Sequence, residues 1–167
     1  LGGTVGQAAD SDFMREAAEK RGMTLLEISK AAEKDRSIDR ELDDRTVKLG
    51  KSGNDFVIDS RLAYHFIPGS FKVFLTVDEK DAAKRIYGDV KSKKAGRTME
   101  KESVTLAATL AAVKKRRKSE EMRYRKYYKL APYELSQYDL VLDTTKATPE
   151  KIVGKIVDAV KKDCASC

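Results

Sequence analysis

Cysteine is scarce in this sequence of 167 residues, and its placement excludes one class of fold. The two cysteines, Cys164 and Cys167, lie at the C-terminal end, so no disulfide framework can be built and a reducing compartment is indicated. Their C-x-x-C spacing provides only half of a tetrahedral zinc site. We therefore interpret the pair as two incidental thiols in a terminal tail.

Long apolar segments are also missing. No apolar run reaches the roughly 18 residues that a membrane-spanning helix needs. The N-terminal residues lack the basic and apolar regions of a signal peptide. We expect a cytoplasmic protein with no membrane partner.

The usual patterns of covalent and metal-dependent catalysis are absent too. The sequence has one histidine, His65, and offers no arrangement of serine, cysteine or histidine for nucleophilic catalysis. No cluster with metal-ligand spacing is present. The G-x-x-x-x-G-K-S/T pattern of an ATP-phosphate loop does not occur, since Gly2-Gly3-Thr4 lacks the lysine.

Charge, by contrast, is abundant, because charged residues make up 37% of the chain and the net charge is +7. An excess of basic residues favours an anionic partner such as a nucleotide, a nucleic acid or an acidic surface. The alternative is that the charge serves solubility alone, and on charge alone solubility is the better interpretation.

Short apolar segments alternate with helical patterns along the chain, which predicts an α/β fold with a parallel sheet. Thr24 and Glu27 form a capping-box pattern at the start of one helix. Asp78 precedes another helix as its cap, and Thr148-Pro149 opens the last one. Further helices are predicted over 13–20, 37–50 and 103–129, buried strands over 56–58, 71–77 and 138–142, a short strand before Asp10, and a mobile basic loop over 89–102.

Polar side chains follow the predicted strands, where ligands of open parallel sheets bind. Asp12 is followed one turn later by Arg15, and Asp59-Ser60-Arg61 follows the second strand. Guanidinium groups form bidentate bonds with phosphate oxygens, so these arginines suit a phosphate ligand. The alternative is that each aspartate caps a helix and pairs with its arginine at the surface.

The long helix carries a second charged cluster. Arg116, Glu120 and Arg123 are spaced by four and three residues and share one helix face, which suits phosphate and ribose binding. The alternative is a solvated helix with intrahelical ion pairs. The tyrosines that follow can stack on bases, but we favour packing against the core; they are Tyr124, Tyr127, Tyr128, Tyr133 and Tyr138.

Four stretches in this order resemble the nucleoside monophosphate kinases, most closely the archaeal and bacterial cytidylate kinase group. They are DFMREAAEKRGM, DRSIDRELDDR, FVIDSRLAYHFIP, and RRKSEEMRYRKYY followed by YDLVLDTT. The resemblance implies a three-layer parallel sheet with helices on both faces, as in P-loop NTPases. It also implies a single domain over 1–167 whose first strand and ATP-phosphate loop would precede Leu1, with a helical monophosphate-binding region over 11–53 and a lid over 88–130.

The resemblance also implies roles for individual residues. Arg15 and Arg61 resemble the arginines that contact the monophosphate, and Arg116 resembles the lid arginine that reaches the transferring phosphoryl group. Glu120 and Arg123 resemble the pair that holds the ribose and the α-phosphate. Arg61, Arg116 and Arg123 are thus the predicted catalytic residues.

Further substrate-binding positions follow from the same resemblance. Asp59 resembles the strand-end carboxylate near the magnesium site, and Asp39 and Arg45 are expected to help shape the base pocket. Asp12 completes the predicted substrate-binding set, and no residue is predicted to ligate a metal directly. Ser60 stands where the family commonly has glycine, as does Ser11, and each adds a side chain close to the expected substrate.

The activity implied by the resemblance is phosphoryl transfer from ATP, with Mg²⁺, to a pyrimidine nucleoside monophosphate, most of all CMP or dCMP. The alternative is a kinase-fold protein without ATP catalysis that serves as a binding or structural component of a larger assembly. A nucleic-acid-binding module is the least favoured interpretation. The sequence leaves the oligomeric state and the preferred base open.

Overall fold

The structure is a computed structural model that describes residues 6–52, 56–92 and 104–165, with side chains described from residue 13 onward. The strands are β1 (Gly6–Ala9), β2 (Phe56–Asp59), β3 (Val73–Thr76) and β4 (Leu140–Asp143). The α-helices are α1 (Asp10–Lys20), α2 (Leu25–Ala32), α3 (Ser37–Gly50), α4 (Ala63–Phe66), α5 (Glu79–Lys91), α6 (Leu106–Tyr128) and α7 (Pro149–Ala165). A short 3₁₀ helix covers Leu135–Gln137.

The four strands form two parallel pairs within the described part of the chain. In the first pair β1 lies beside β2, with Gly6 opposite Phe56, and in the second β3 lies beside β4, with Val73 opposite Leu140. The predicted α/β class and the parallel pairing are therefore confirmed. One continuous sheet in three layers stays a prediction.

The prediction that β2 and β4 are buried strands was wrong for one face of each strand. Alternate side chains of a strand point to opposite faces, and in β2 Phe56 and Ile58 are half-buried whereas Val57 is 63% exposed. In β3 Leu75 is exposed in the same way. In β2 and in β4, therefore, one face is half-buried and the other is exposed.

Local sequence signals explain where α1 ends and where α2 begins. Helix α1 ends at Lys20, and the turn after it contains Gly22, whose φ of 63° is accessible to glycine at little cost. There the backbone N–H of Met23 donates to the carbonyl of Ala18 at 2.9 Å, which satisfies a carbonyl at the helix end. Helix α2 begins with the capping box of Thr24 and Glu27, as predicted.

Helices α1 to α3 share a hydrophobic core and coincide with the region predicted over 11–53. Apolar residues at helical spacing place one stripe of each helix toward the other two. The role of this region in monophosphate binding stays a prediction. The fully buried members of the core are Ala18, Leu25, Ile28, Ala32 and Ile38.

The loop prediction over 89–102 is corrected at its start, and the lid over 88–130 stays a prediction. Asp78 caps α5 as predicted, its carboxylate accepting from the N–H groups of Lys80 and Asp81. The helix continues through Lys91, so Asp89–Lys91 is helical where the sequence predicted a loop. Most of the residual loop prediction falls on 93–103, outside the described residues.

Helix α6 begins at the Thr105 cap and is held against α2 by hydrogen bonds. The Ser119 hydroxyl donates to the carbonyl of Ser29 at 3.1 Å in the buried interface. The Tyr127 hydroxyl donates to the carbonyls of Ala32 and Glu33 at the C-terminal end of α2. Among the helices of the described ranges, none is both long and apolar enough to cross a membrane.

Candidate active site

The loop after β2 presents Arg61 at the carboxyl end of the strand. Its neighbour Ser60 shapes the loop, because the Ser60 hydroxyl accepts from the backbone N–H groups of Leu62 at 3.2 Å and Ala63 at 3.0 Å. Leu62 and Ala63 are buried and anchor the turn into the core. The Ser60 hydroxyl is therefore engaged within its own loop, and the adjacent Arg61 is carried on a fixed turn.

Arg61 is paired with a carboxylate of the long helix. Its Nε atom lies 2.7 Å from Oε2 of Glu120, and the two side chains are 39% and 10% exposed. The Glu120 carboxylate raises the pKa of the Arg61 guanidinium. The Tyr133 hydroxyl donates to the same Oε2 atom at 3.2 Å.

A second arginine–carboxylate pair, Asp39 on α3 and Arg123 on α6, lies deeper. The Arg123 Nη1 group donates to Oδ1 of Asp39. The Arg123 side chain is 2% exposed and the Asp39 side chain is 5% exposed. Burial raises the pKa of the Asp39 carboxyl, while the Arg123 guanidinium opposes that change. Oδ2 of Asp39 and Nε of Arg123 are buried without a hydrogen-bond partner among the described residues.

The two ion pairs border one small cavity of about 40 Å³. Elements far apart in sequence meet there, because α3, the turn after β2 and the middle of α6 each contribute charged side chains. Two guanidinium groups and three carboxylates can together bind a ligand that carries both phosphate oxygens and hydroxyl groups. The charged lining residues are Asp39, Asp43, Arg61, Glu120 and Arg123.

Two other predicted arginines lie beside this cavity but are not among the residues that line it. Arg116 is on α6 one turn before Glu120 and is half-buried. Arg15 is half-buried on α1 next to Met14, which does line the cavity. The predicted convergence of arginines is therefore realised directly by Arg61 and Arg123, and the phosphate roles of Arg15 and Arg116 stay predictions.

Arg45 lines a different and larger cavity of about 220 Å³ between α1 and α3. Its guanidinium pairs with Glu16 at 3.3 Å and Glu41 at 3.0 Å and lies 4.6 Å from the centre of the Phe13 ring. Asp39 and Arg45, both predicted to shape a base pocket, are thus on separate cavities. Their roles in base binding stay predictions.

The remaining two predicted positions are carboxylates near strand ends. Asp59 is the last residue of β2 and is exposed. Asp12 lies in the first turn of α1, and its side chain is outside the described residues. Among the side chains that the structure describes, no group of three or more histidine, cysteine, aspartate or glutamate residues could hold a metal ion.

That finding bears on magnesium, which the sequence resemblance implies. Mg²⁺ in nucleotide sites keeps several waters and is held by one or two carboxylates together with substrate phosphates. An exposed strand-end carboxylate such as Asp59 fits such an ion, whereas a cage made only of protein groups is not present in the described region. The described donors are therefore compatible with a Mg²⁺ that arrives with a nucleotide.

The sequence did not predict the polar contacts of the tyrosines around the cavity. Tyr124 is buried and lines it, and burial raises the pKa of its hydroxyl. The Tyr128 hydroxyl donates to Asp43, another lining residue. Packing of these tyrosines was predicted correctly, but their polar contacts depend on which residues of α3 and β2 face α6, and helical spacing does not reveal that.

Comparison with known proteins agrees with the geometry. Residues 6–146 match the model of the cytidylate kinase-like family. A protein of Natronomonas pharaonis called cytidylate kinase is 36% identical over 152 residues, which cover 89% of this chain and 72% of that protein. A protein of the same name from Methanocaldococcus jannaschii is 35% identical, with 90% of this chain and 82% of that protein covered. Another from Methanobrevibacter smithii is 29% identical, with 92% of this chain and 82% of that protein covered. The chain belongs to the cytidylate kinase-like family.

Proposed function

We propose that this protein transfers the γ-phosphoryl group of ATP to a phosphate oxygen of a pyrimidine nucleoside monophosphate, most of all CMP or dCMP. The products are ADP and the nucleoside diphosphate. One observation carries the proposal: Arg61, from the turn after β2, and Arg123, from α6, line the same small cavity with three carboxylates.

The physics of phosphoryl transfer suits such a site. The reaction needs in-line positioning of the two substrates and positive charge around the transferring oxygens rather than a protein nucleophile. Guanidinium groups held in a partly buried site supply that charge without reorganising during the reaction. The absence of a nucleophilic triad from the sequence agrees with this type of chemistry.

The acceptor phosphate is assigned to Arg61, because its side chain is the more exposed of the two cavity arginines. A guanidinium bound to a carboxylate through Nε still presents its two Nη groups, which are suited to a bidentate bond with phosphate. Arg123 and Glu120 are assigned to ribose and phosphate contacts. The cytosine preference is supported by the name of the relatives, each called cytidylate kinase.

ATP and Mg²⁺ belong to the same proposal. When bound, Mg²⁺ neutralises charge on the phosphate oxygens of ATP. The residues of this chain bind and orient the monophosphate, and Asp59 at the end of β2 is the carboxylate that would hold the ion together with the nucleotide phosphates.

The test is a coupled assay of ADP formation with ATP, Mg²⁺ and each nucleoside monophosphate in turn. We expect CMP and dCMP to give the highest kcat/KM, UMP a lower one and AMP the lowest. Binding of CMP by calorimetry without turnover from any phosphate donor would contradict catalysis and favour the alternative, a kinase-fold binding component.

A matched pair of arginine variants locates the activity. Arg61→Ala removes a guanidinium from the cavity and is expected to lower kcat/KM about 100-fold, since hydrogen bonds to charged groups are the strong ones. Arg125→Ala removes an exposed guanidinium from the same helix as Arg123 and should change it less than about twofold. Equal effects of the two substitutions would contradict the assignment of this cavity.

A further inference from the structure

Tyr133 lies in the connection after α6, and its ring contacts side chains from two other elements. The Arg117 guanidinium of α6 lies 4.4 Å from the ring centre, a cation–π distance. On β3, the Phe74 ring meets Tyr133 edge to face, with 6.3 Å between the ring centres. The tyrosine ring is therefore held by a helix and a strand that are distant in sequence.

The fixed ring sets the position of the hydroxyl group. Oη of Tyr133 donates to Oε2 of Glu120 at 3.2 Å, and the same oxygen lies 2.7 Å from Nε of Arg61. Arg61 is thus bound to an oxygen that is itself held by the tyrosine. Burial and the Glu120 charge raise the pKa of Tyr133 to about 12, so the hydroxyl stays a donor at neutral pH.

The direction of the Arg61 side chain depends on a fixed partner. Its side chain is long, has many rotamers and is 39% exposed, so an ion pair with a freely rotating carboxylate would not fix its direction. A paired carboxylate oxygen that also accepts a hydrogen bond from a rigid ring has far fewer orientations. The chain Tyr133–Glu120–Arg61 then fixes the guanidinium relative to β3 and α6.

We propose that Tyr133 is a positioning residue, which acts through Glu120 to hold the Arg61 guanidinium in the direction that receives the acceptor phosphate. The functional part of this proposal rests on the proposed function above. The structural part, orientation of Arg61, is independent of any substrate. Tyr133 itself is not assigned a contact with the substrate.

The experiment uses the full chain, ¹⁵N-labelled, and follows the Arg61 Nε–Hε signal by NMR without ligand, assigned by its loss in Arg61→Lys. In the wild type we expect a resolved signal that exchanges slowly with water, because Nε lies 2.7 Å from Oε2 of Glu120 in an ion pair. Tyr133→Phe keeps the ring and removes only the hydroxyl, and it should speed this exchange about tenfold, the effect of losing a hydrogen bond to a charged group.

Two controls separate positioning from folding. Tyr127→Phe removes a half-buried hydroxyl that bonds to α2 rather than to Glu120, and it should leave the Arg61 signal unchanged. In a Glu120→Gln background the Arg61 exchange should already be fast, and adding Tyr133→Phe should change nothing further. Unchanged exchange in Tyr133→Phe, an equal change in Tyr127→Phe, or collapse of the whole spectrum in Tyr133→Phe would each overturn the proposal.

The functional arm is a CMP titration of the same variants. Tyr133→Phe should raise the Kd for CMP, and the KM, about tenfold while the KM for ATP stays constant, a split that a general loss of stability does not produce. If wild-type protein binds no CMP while the NMR result holds, the proposed function fails and the orientation of Arg61 by Tyr133 stands. If CMP binds and its Kd is unaffected by Tyr133→Phe, the positioning role is wrong.

Discussion

Arg123 and Asp39 are separated by 84 residues in sequence, yet their side chains form an ion pair from which water is almost completely excluded. The pair joins α6 to α3 at the floor of the cavity. Burying two charges is costly, and attraction repays the cost only while both partners are present. The stability of the chain and the composition of its candidate site therefore depend on the same contact.

Loss of one partner of this pair should be severe. Asp39→Asn leaves the Arg123 guanidinium buried without a counter-charge, and we expect the free energy of unfolding to fall by about 3 to 5 kcal/mol. Urea unfolding followed by circular dichroism measures the change. Asp44→Asn on the exposed side of α3 is the control and should stay within about 0.5 kcal/mol of wild type.

Replacing both partners by apolar residues separates stability from binding. Asp39→Leu with Arg123→Met should recover most of the stability lost in Asp39→Asn, because no unpaired charge is left. The same double variant should lose CMP binding, since one of the two cavity arginines is gone. Full CMP affinity in the double variant would exclude Arg123 from the site.

The buried tyrosines predict a loss of stability at alkaline pH. Burial raises the pKa of Tyr133 and Tyr138 to about 12, whereas a tyrosine in the unfolded chain ionises near pH 10. The folded state thus binds more protons above pH 10, and stability is complete below that pH and falls as the pH rises toward 12. A tyrosine that ionises only on unfolding lowers stability by about 1.4 kcal/mol per pH unit.

Thermal unfolding between pH 8 and pH 11 checks this prediction. The double variant Tyr133→Phe/Tyr138→Phe should show a shallower decrease of Tm above pH 10 than the wild type, because two ionising groups are removed. Other groups titrate in this range in both proteins, so the difference between the two curves is the quantity of interest. Parallel curves would contradict the burial of these hydroxyl groups.

Ser60 gives a prediction about the turn that carries Arg61. Ser60→Gly removes the hydroxyl that accepts from Leu62 and Ala63, and we expect a loss of about 1 kcal/mol in stability and weaker CMP binding. Ser60→Thr retains the acceptor oxygen and is the control. Tighter CMP binding in Ser60→Gly would instead mean that the serine obstructs the approach of the substrate.

A steric prediction concerns the end of α3. A Cβ atom added at Gly50 would lie 2.9 Å from Cγ1 of Ile67, so Gly50→Ala should destabilise the protein by about 1 to 3 kcal/mol. Ile67→Ala removes the clashing atoms, and the double variant should be less destabilised than the sum of the two single changes. Additive effects in urea unfolding would show that the two residues do not meet.

The helix boundaries were predictable because the interactions that set them are local. The capping box of Thr24 and Glu27 spans four residues, and the Asp78 cap lies directly before its helix. Where no such signal exists the prediction failed: the basic residues at the end of α5 suggested a loop, yet Asp89–Lys91 continue the helix. Burial of Val57 was also mispredicted, since an apolar run does not reveal which strand faces are covered.

The site was predictable in part. The spacing of Glu120 and Arg123 placed them on one face of α6, and Arg61 was found from its position after a strand. Their partners were not predictable from pattern, because the Asp39–Arg123 and Tyr133–Glu120 contacts depend on how distant elements pack. Arg45 shows the same limit, since the family resemblance grouped it with Asp39 in one base pocket, whereas it lines a separate cavity.

The attachment of α6 to α2 by Ser119 and Tyr127 has a consequence for affinity. Glu120 and Arg123 belong to the same helix as these two residues. A movement of α6 that widens the cavity would therefore lengthen the hydrogen bonds of Ser119 and Tyr127 to carbonyl groups of Ser29, Ala32 and Glu33. The free energy of ligand binding therefore includes a contribution from the α2–α6 interface, which the ligand does not contact. Evolution or engineering can tune substrate affinity from that remote interface while leaving every substrate contact intact.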